Sequence, residues 1–270
     1  MGGRRWTQET VSVIGKNVRE IRIIIISNNC IMANIALIIA GGVGNRMGQD
    51  IPKQFMHIGD CPVIVRTMQT FEKHPDIQSI AVVCLDGWET VLQAYANQFN
   101  ITKLKYIFPG GKNGQDSIRN GIYGLLNEGA DRKDIVLIHD AVRPLISLEI
   151  ISSNLAVCKR YGNAITAIKC TEAILESDDH KSSTTSIPRD LLWRTQTPQT
   201  FYLGEIADAH KEALEKGITA SVSSCTMMIE LGGRTLYMAP GEEKNLKLTN
   251  AEDIELYKSL MNTAKESWVK

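Results

Sequence analysis

From residue 35 onward the chain switches repeatedly between two hydrophobic periods. Short apolar runs bounded by polar or glycine-rich residues read as buried strands at 35–40, 80–84, 104–108, 134–138 and 164–168. Between them, apolar residues recur every three or four positions, which predicts helices. The first covers 62–74, with Val63, Val65, Met68 and Phe71 roughly on one face, and others cover 88–99, 116–126 and 147–161. The last of these carries Ile150, Ile151, Leu155 and Val157-Cys158 on its apolar side. A further helix is predicted at 205–216 and a further strand at 234–238. Thr249-Asn-Ala-Glu252 reads as a capping box opening a final helix, with Ile254, Tyr257, Leu260 and Met261 facing inward. Alternation of this kind predicts an α/β fold whose mostly parallel sheet is covered on both faces. Residues 170–191 break the rhythm: Glu176 to Thr185 is polar and reads as a solvated hairpin.

Ligands of such sheets bind beyond the carboxyl ends of the strands. There the chain places Leu37-Ile-Ile-Ala-Gly-Gly-Val-Gly-Asn-Arg-Met-Gly-Gln-Asp-Ile-Pro-Lys-Gln-Phe55. A loop with glycines at 41, 42 and 44 lets backbone N–H groups approach a phosphate closely. Arg46 and Lys53 add two positive charges, so a polyphosphate suits the loop. The plainer alternative is a glycine-rich turn and nothing more. Two phosphate motifs are excluded. The P-loop pattern is absent, and Met47 stands where G-x-G-x-x-G needs its third glycine. No acidic residue follows at ribose-contact spacing, which argues against a nicotinamide dehydrogenase.

Composition adds bounds. The 270 residues suffice for one large α/β domain. Thirty basic and thirty acidic side chains leave no net charge, so no global field draws the chain to nucleic acid or to a membrane. Any anion site must be a local concentration of charge. The six cysteines, at 30, 61, 84, 158, 170 and 225, form neither C-x-x-C nor a zinc pattern, and read as thiols of a reducing cytoplasm. No stretch reaches the roughly eighteen apolar residues of a membrane span. Residues 1–31 are expected to be an extension outside the fold, with 32–270 as a single domain; an organelle-targeting segment is the rival reading.

Five segments in register carry a resemblance. Ala40-Gly-Gly-x-Gly-x-Arg-Met with Pro52-Lys-Gln-Phe55, Gly110-Gly111 with Asp116-Ser117, His139-Asp-Ala-Val-Arg-Pro144, Gln196-Thr-Pro-Gln199 and Asn245-Leu-Lys-Leu-Thr249 resemble the cytidylyltransferases of 2-C-methyl-D-erythritol 4-phosphate and ribitol 5-phosphate. The resemblance covers about residues 33 to 262. It implies a Rossmann-like three-layer sandwich of the nucleotide-diphospho-sugar transferase type with a mostly parallel mixed sheet. It also implies a protruding arm at about 170–191 that packs on a second copy, giving a homodimer.

The chemistry implied is attack of an alditol phosphate on the α-phosphate of CTP, with pyrophosphate leaving. By resemblance, Arg46, Lys53 and Lys247 are the catalytic cations. Ala40, Gly41, Gly42, Gly44, Gly111, Ser117 and Asp140 would bind CTP, Ser117 in the cytosine-reading segment. Arg143, Arg189 and Thr197 would contact the acceptor, the arginine at 189 reaching across from a partner. Asp140 would also hold magnesium, the implied cofactor. Plainer readings stand beside these: Ser117 as a helix cap, Arg143 as a structural salt bridge, His139 as a packing or hydrogen-bonding residue.

The chain departs from the family pattern at three places. Lys112 and Gly114 replace a common acidic or small residue and an arginine. Glu172-Ala173 loses a hydroxyl, and Ser223-Ser-Cys225 loses a carboxylate. Donor-side cations persist while acceptor-side groups drift. Leu85-Asp-Gly-Trp88, Val142 to Ser147 and Gln196 to Phe201 look more like the ribitol branch, with the isoprenoid branch, making CDP-methylerythritol, close behind. A nucleotidyltransferase of other specificity and an inactive nucleotide-binding homologue are the competing expectations.

Overall fold

A computed structural model describes residues 32–42 and 51–263. The expected extension, 1–31, and two site candidates, Gly44 and Arg46, lie outside the described residues. A seven-stranded sheet runs through the molecule in the order β11-β7-β10-β6-β1-β4-β5. Its strands are β1 (Asn34–Ala40), β4 (Ser79–Cys84), β5 (Leu104–Pro109), β6 (Ile135–Asp140), β7 (Asn163–Lys169), β10 (Trp193–Tyr202) and β11 (Met238–Pro240). β1 pairs in parallel with β4 and β6, β4 with β5, and β11 with β7. Within this sheet, among the described residues, only β10 runs antiparallel, between β6 and β7.

Both faces of β1 are apolar because both are covered. Ala36, Ile38 and Ala40 face one layer of helices: α1 (Val63–Lys73), α2 (Glu89–Gln98) and α4 (Leu148–Tyr161). Ile35 and Leu37 face the other: α3 (Gly114–Asn127), α5 (Leu203–Glu215) and α6 (Ser224–Glu230). A third cluster seats α7 (Ala251–Thr263), whose buried Tyr257 meets Ile58, Val63, Val142 and Leu248.

The expected alternation is present, with most boundaries within one or two residues. Two expectations need correction. The late strand begins at Met238, where pairing with Ile165 starts, rather than at 234. The last helix is boxed by Asn250 and Asp253, whose side chains exchange bonds with each other's N–H groups (2.9 and 3.0 Å), one position later than expected. The periodicity did not predict β10 or α6. Within 170–191, β8 (Ile174–Glu176) pairs with β9 (Thr185–Ile187) as a hairpin. The short β2 (His57–Ile58) and β3 (Cys61–Pro62) pair beside α1.

The five described cysteines are free and buried, and burial pushes the Cys84 and Cys158 thiols up to about 12. Among the described residues, no helix is long and apolar enough to cross a membrane.

His210, on α5, is 1% exposed, and neither ring nitrogen has a hydrogen-bond partner. Burial, helped by the Arg119 charge and opposed by Asp116, lowers its pKa to about 4. A base with a lowered folded pKa takes up protons more readily in the unfolded chain. Stability is therefore complete above about pH 6.5 and is lost as pH falls toward 4, by about 3 kcal/mol for this one group. Urea titrations from pH 7 to pH 4 should show that loss. In His210→Leu the pH slope should flatten by a comparable amount, whatever the variant's stability at pH 7.

Candidate active site

The chain leaves β1 toward β4 on one side and returns through β6 on the other. The crevice at the carboxyl end of β1 is thus a topological switch point. Gly41 sits at its floor. A Cβ there would come within 3.1 Å of both the Gly110 Cα and the Ser117 Oγ, so the loop after β1 and the turn after β5 all but touch. At Gly111 a Cβ would lie 2.4 Å from that of Asp116. Only glycine fits there.

Asn113, rather than Ser117, caps α3: its Oδ1 accepts the Asp116 N–H at 2.9 Å. Ser117 lies one turn inside. Its hydroxyl donates to the Asn113 carbonyl (2.9 Å) and accepts the Gly111 N–H (3.0 Å), which pins the glycine turn to the helix. From the opposite side the buried Gln54 donates to the Ala40 carbonyl (2.8 Å) and the Gly42 carbonyl (2.9 Å). Sequence reasoning did not single out Gln54. Its signal was its place between Lys53, which lines the cleft, and Phe55, which stacks on Trp88 at 4.6 Å.

Asp140 ends β6 and gathers the second half of the site. Its Oδ2 accepts from Arg143 Nε at 2.9 Å and its Oδ1 from Lys247 Nζ at 3.1 Å. Burial would raise the carboxyl pKa, but the charges of Lys247 and Arg143 outweigh it and hold the group at about 2. Arg143 also donates to the Asn245 carbonyl (2.8 Å), tying β6 to the segment that carries Lys247.

Behind this pair a hydrogen-bond relay sets the strand end. The Asp140 N–H donates to the Thr197 hydroxyl at 3.1 Å. That hydroxyl lies 3.0 Å from His139 Nδ1, and His139 Nε2 lies 3.2 Å from the Arg143 carbonyl. A carbonyl only accepts, so Nε2 carries the proton and Nδ1 accepts from Thr197. Burial first, then the Arg143 charge, brings the His139 pKa to about 4 against the pull of Asp140. Neutral at ordinary pH, His139 is a hydrogen-bonding residue of the frame, in line with the plainer reading.

Together these elements line a cleft of about 540 Å³, within the roughly 300–1,000 Å³ range of small-molecule sites. Ala40, Gly41, Gly42, Gly111 and Ser117 line one part; Asp140, Arg143, Thr197 and Lys247 line another. Arg189 does not line the cleft of its own chain: it lies at the foot of the hairpin, donating to the Thr171 carbonyl at 3.4 Å. Among the described lining residues, Lys53, Lys112, Arg143 and Lys247 are cationic and Asp140 alone is acidic. A chain with no net charge thus concentrates positive charge where its glycine turns meet.

A glycine-floored, cation-rich crevice at the switch point of a doubly covered sheet defines an α/β protein built to hold a phosphorylated ligand. Comparison with known proteins narrows the class. Residues 34–263 match the family described as IspD, 2-C-methyl-D-erythritol 4-phosphate cytidylyltransferase, and the chain belongs to that family. It is 39% identical over 228 residues to the ribitol-5-phosphate cytidylyltransferase of Lacticaseibacillus paracasei, covering 84% of this chain and 97% of that protein. It is 35% identical over 234 residues to the 2-C-methyl-D-erythritol 4-phosphate cytidylyltransferase of Syntrophotalea carbinolica, covering 86% and 97%. A crystal structure of 4-diphosphocytidyl-2C-methyl-D-erythritol synthase superposes with a TM-score of 0.71 at 26% identity, covering 85% of this chain and 98% of that one.

The relay yields a test of stability. Thr197→Val removes the hydroxyl and leaves the Asp140 N–H and the His139 Nδ1 without it, which should cost about 1–3 kcal/mol in urea unfolding. Thr197→Ser keeps the bonds and should cost less than about 1 kcal/mol. A larger loss in Thr197→Ser than in Thr197→Val would show that packing of the methyl group, which valine keeps and serine lacks, and not the relay, is what matters.

Proposed function

We propose that this chain transfers CMP from CTP to an alditol phosphate, and that ribitol 5-phosphate is the acceptor. The observation that carries the reading is the excess of cations around one ionised carboxylate in the glycine-floored cleft. An oxygen of the acceptor phosphate attacks the α-phosphorus of CTP; the bond to the bridging oxygen breaks and pyrophosphate leaves. Both reactants are anions, so the protein's work is to align them and to neutralise the charge that builds at phosphorus. Lys53 and Lys247, with Arg46 from the glycine loop, are the cations assigned to that work. Ala40, Gly41, Gly42 and Gly44 cradle the triphosphate through their backbone. Gly111 and Ser117 face the cytosine, where unpaired polar groups would reject the wrong base.

Magnesium fits Asp140. The ion usually keeps several waters and takes one or two protein carboxylates beside substrate phosphates, and Asp140 is the ionised acidic side chain among the described cleft residues. When bound, it would draw charge from the phosphate oxygens. Arg143 and Thr197 serve the acceptor side.

The arm supports a homodimer. Its region exposes Leu175, Leu191 and Trp193, apolar surface that a second copy would cover, and Arg189 would then reach the partner's acceptor site. Free, buried thiols among the described cysteines suit a cytoplasmic setting. The ribitol choice rests on relatives of that name at 39% and 38% identity, against 35% for the methylerythritol relative from Syntrophotalea carbinolica.

Pyrophosphate release with CTP, magnesium and ribitol 5-phosphate should be fast, and with 2-C-methyl-D-erythritol 4-phosphate at least about tenfold slower in kcat/KM. Lys247→Ala should lower kcat/KM by about 100-fold. Release with the methylerythritol acceptor alone would move the chain to the isoprenoid branch. Release with neither would overturn the reading.

A further inference from the structure

We infer that Gln115 is a positioning residue that fastens the base-reading turn to the segment leading into the 222–226 lining of the cleft, so that nucleotide bound at the turn orders that lining. The inference rests on the CTP reading of the cleft.

Gln115 is the second residue of α3 and is 4% exposed. Both ends of its amide are used. Nε2 donates to the Ile218 carbonyl at 2.7 Å, and Oε1 accepts the Ser221 N–H at 2.8 Å. Asn113 adds a third bond, from Nδ2 to the Thr219 carbonyl at 3.0 Å, while its Oδ1 caps the helix. Residues 218–221 belong to no helix or strand, so no regular ladder holds their backbone. Side chains from the start of α3 supply these bonds instead.

The next residues along the chain give the arrangement its consequence. Val222, Ser223, Ser224 and Thr226 all line the cleft. On their far side a second buried amide acts in the same way: Gln199 Oε1 accepts the Cys225 N–H at 2.9 Å, and its Nε2 donates to the Cys225 Sγ at 3.3 Å. Gln199 lies on β10, two residues from the Thr197 hydroxyl that receives the Asp140 N–H. The 222–226 wall is therefore strung between two buried glutamines, one from the base-reading turn and one from the frame of Asp140. Ordering the glycine turn with cytosine fixes Asn113 and Gln115, and through them the approach to that wall. Reacting groups tolerate little misplacement, since about 1 Å can cost 100-fold.

The test is hydrogen exchange with CTP alone, followed by kinetics. In the wild-type chain CTP should slow exchange in both 110–117 and 218–226. In Gln115→Met, similar in length but without the amide, CTP should still slow 110–117 but no longer 218–226. That variant should also raise KM for ribitol 5-phosphate about tenfold and KM for CTP less than about threefold. A merely structural role would lower the active fraction and kcat without this split in KM. Protection confined to 110–117 in the wild type overturns the inference while leaving CTP binding intact. So does a Gln115→Met chain that keeps both responses. No slowing in either segment would instead mean that the CTP reading itself fails, and the inference with it.

Discussion

At the end of β6 one carboxylate holds two cations from different parts of the chain, and the geometry of the cleft depends on that grip. Arg143 follows Asp140 by three residues, whereas Lys247 arrives from far along the sequence. Without the carboxylate, like charges would crowd one crevice with nothing between them. With it, they are held at bonding distance and still face the cleft; the Lys247 side chain remains 45% exposed. The carboxylate's own position is set in turn by the Thr197–His139 relay beneath it. A neutral, fully buried imidazole completes that relay without adding a further charge.

The other half of the site is shaped by the absence of side chains. Gly41 and Gly110 allow two loops from separate βα units to meet, and Gln54 and Ser117 hold them there through backbone groups. On the proposed function, the glycine turns on one side and the cations on the other form a preorganised anion site, which costs little reorganisation when charge moves during reaction. This division also fits the pattern of change in the sequence. The donor-side groups sit in tight steric frames, whereas Ser224 occupies a position where a carboxylate was expected, and its buried hydroxyl has no partner.

The parallel half of the fold was legible because its strands are apolar on both faces and its helices amphipathic. β10 was not, for a definite reason. Its buried residues include Gln196, Gln199 and Thr200, each satisfied by a partner far away in sequence: the Glu242 carbonyl, Cys225 and Asn154. Hydrophobic periodicity cannot register a strand whose inner positions are polar. The same blindness hid Gln54 and Gln115, polar residues whose burial becomes visible only once their carbonyl partners are in place. Lys53, Asp140, Arg143, Thr197 and Lys247, which line the cleft, were singled out by motif and resemblance, where periodicity says nothing. The plainer reading of Ser117 as a helix cap fell to Asn113, whose side chain takes the Asp116 N–H one turn earlier.

On the proposed function, the Asp140 carboxylate organises Lys247, Arg143 and magnesium for chemistry more than it adds to the CTP affinity expected of it by resemblance. Asp140→Asn keeps the shape and removes the charge. Calorimetric titration with CTP in EDTA, set beside pyrophosphate release with magnesium and ribitol 5-phosphate, separates the two roles. CTP affinity should stay within about threefold of wild type while turnover falls by about 100-fold or more. Turnover within about threefold of wild type, in a variant that binds CTP normally, would contradict that role for the carboxylate.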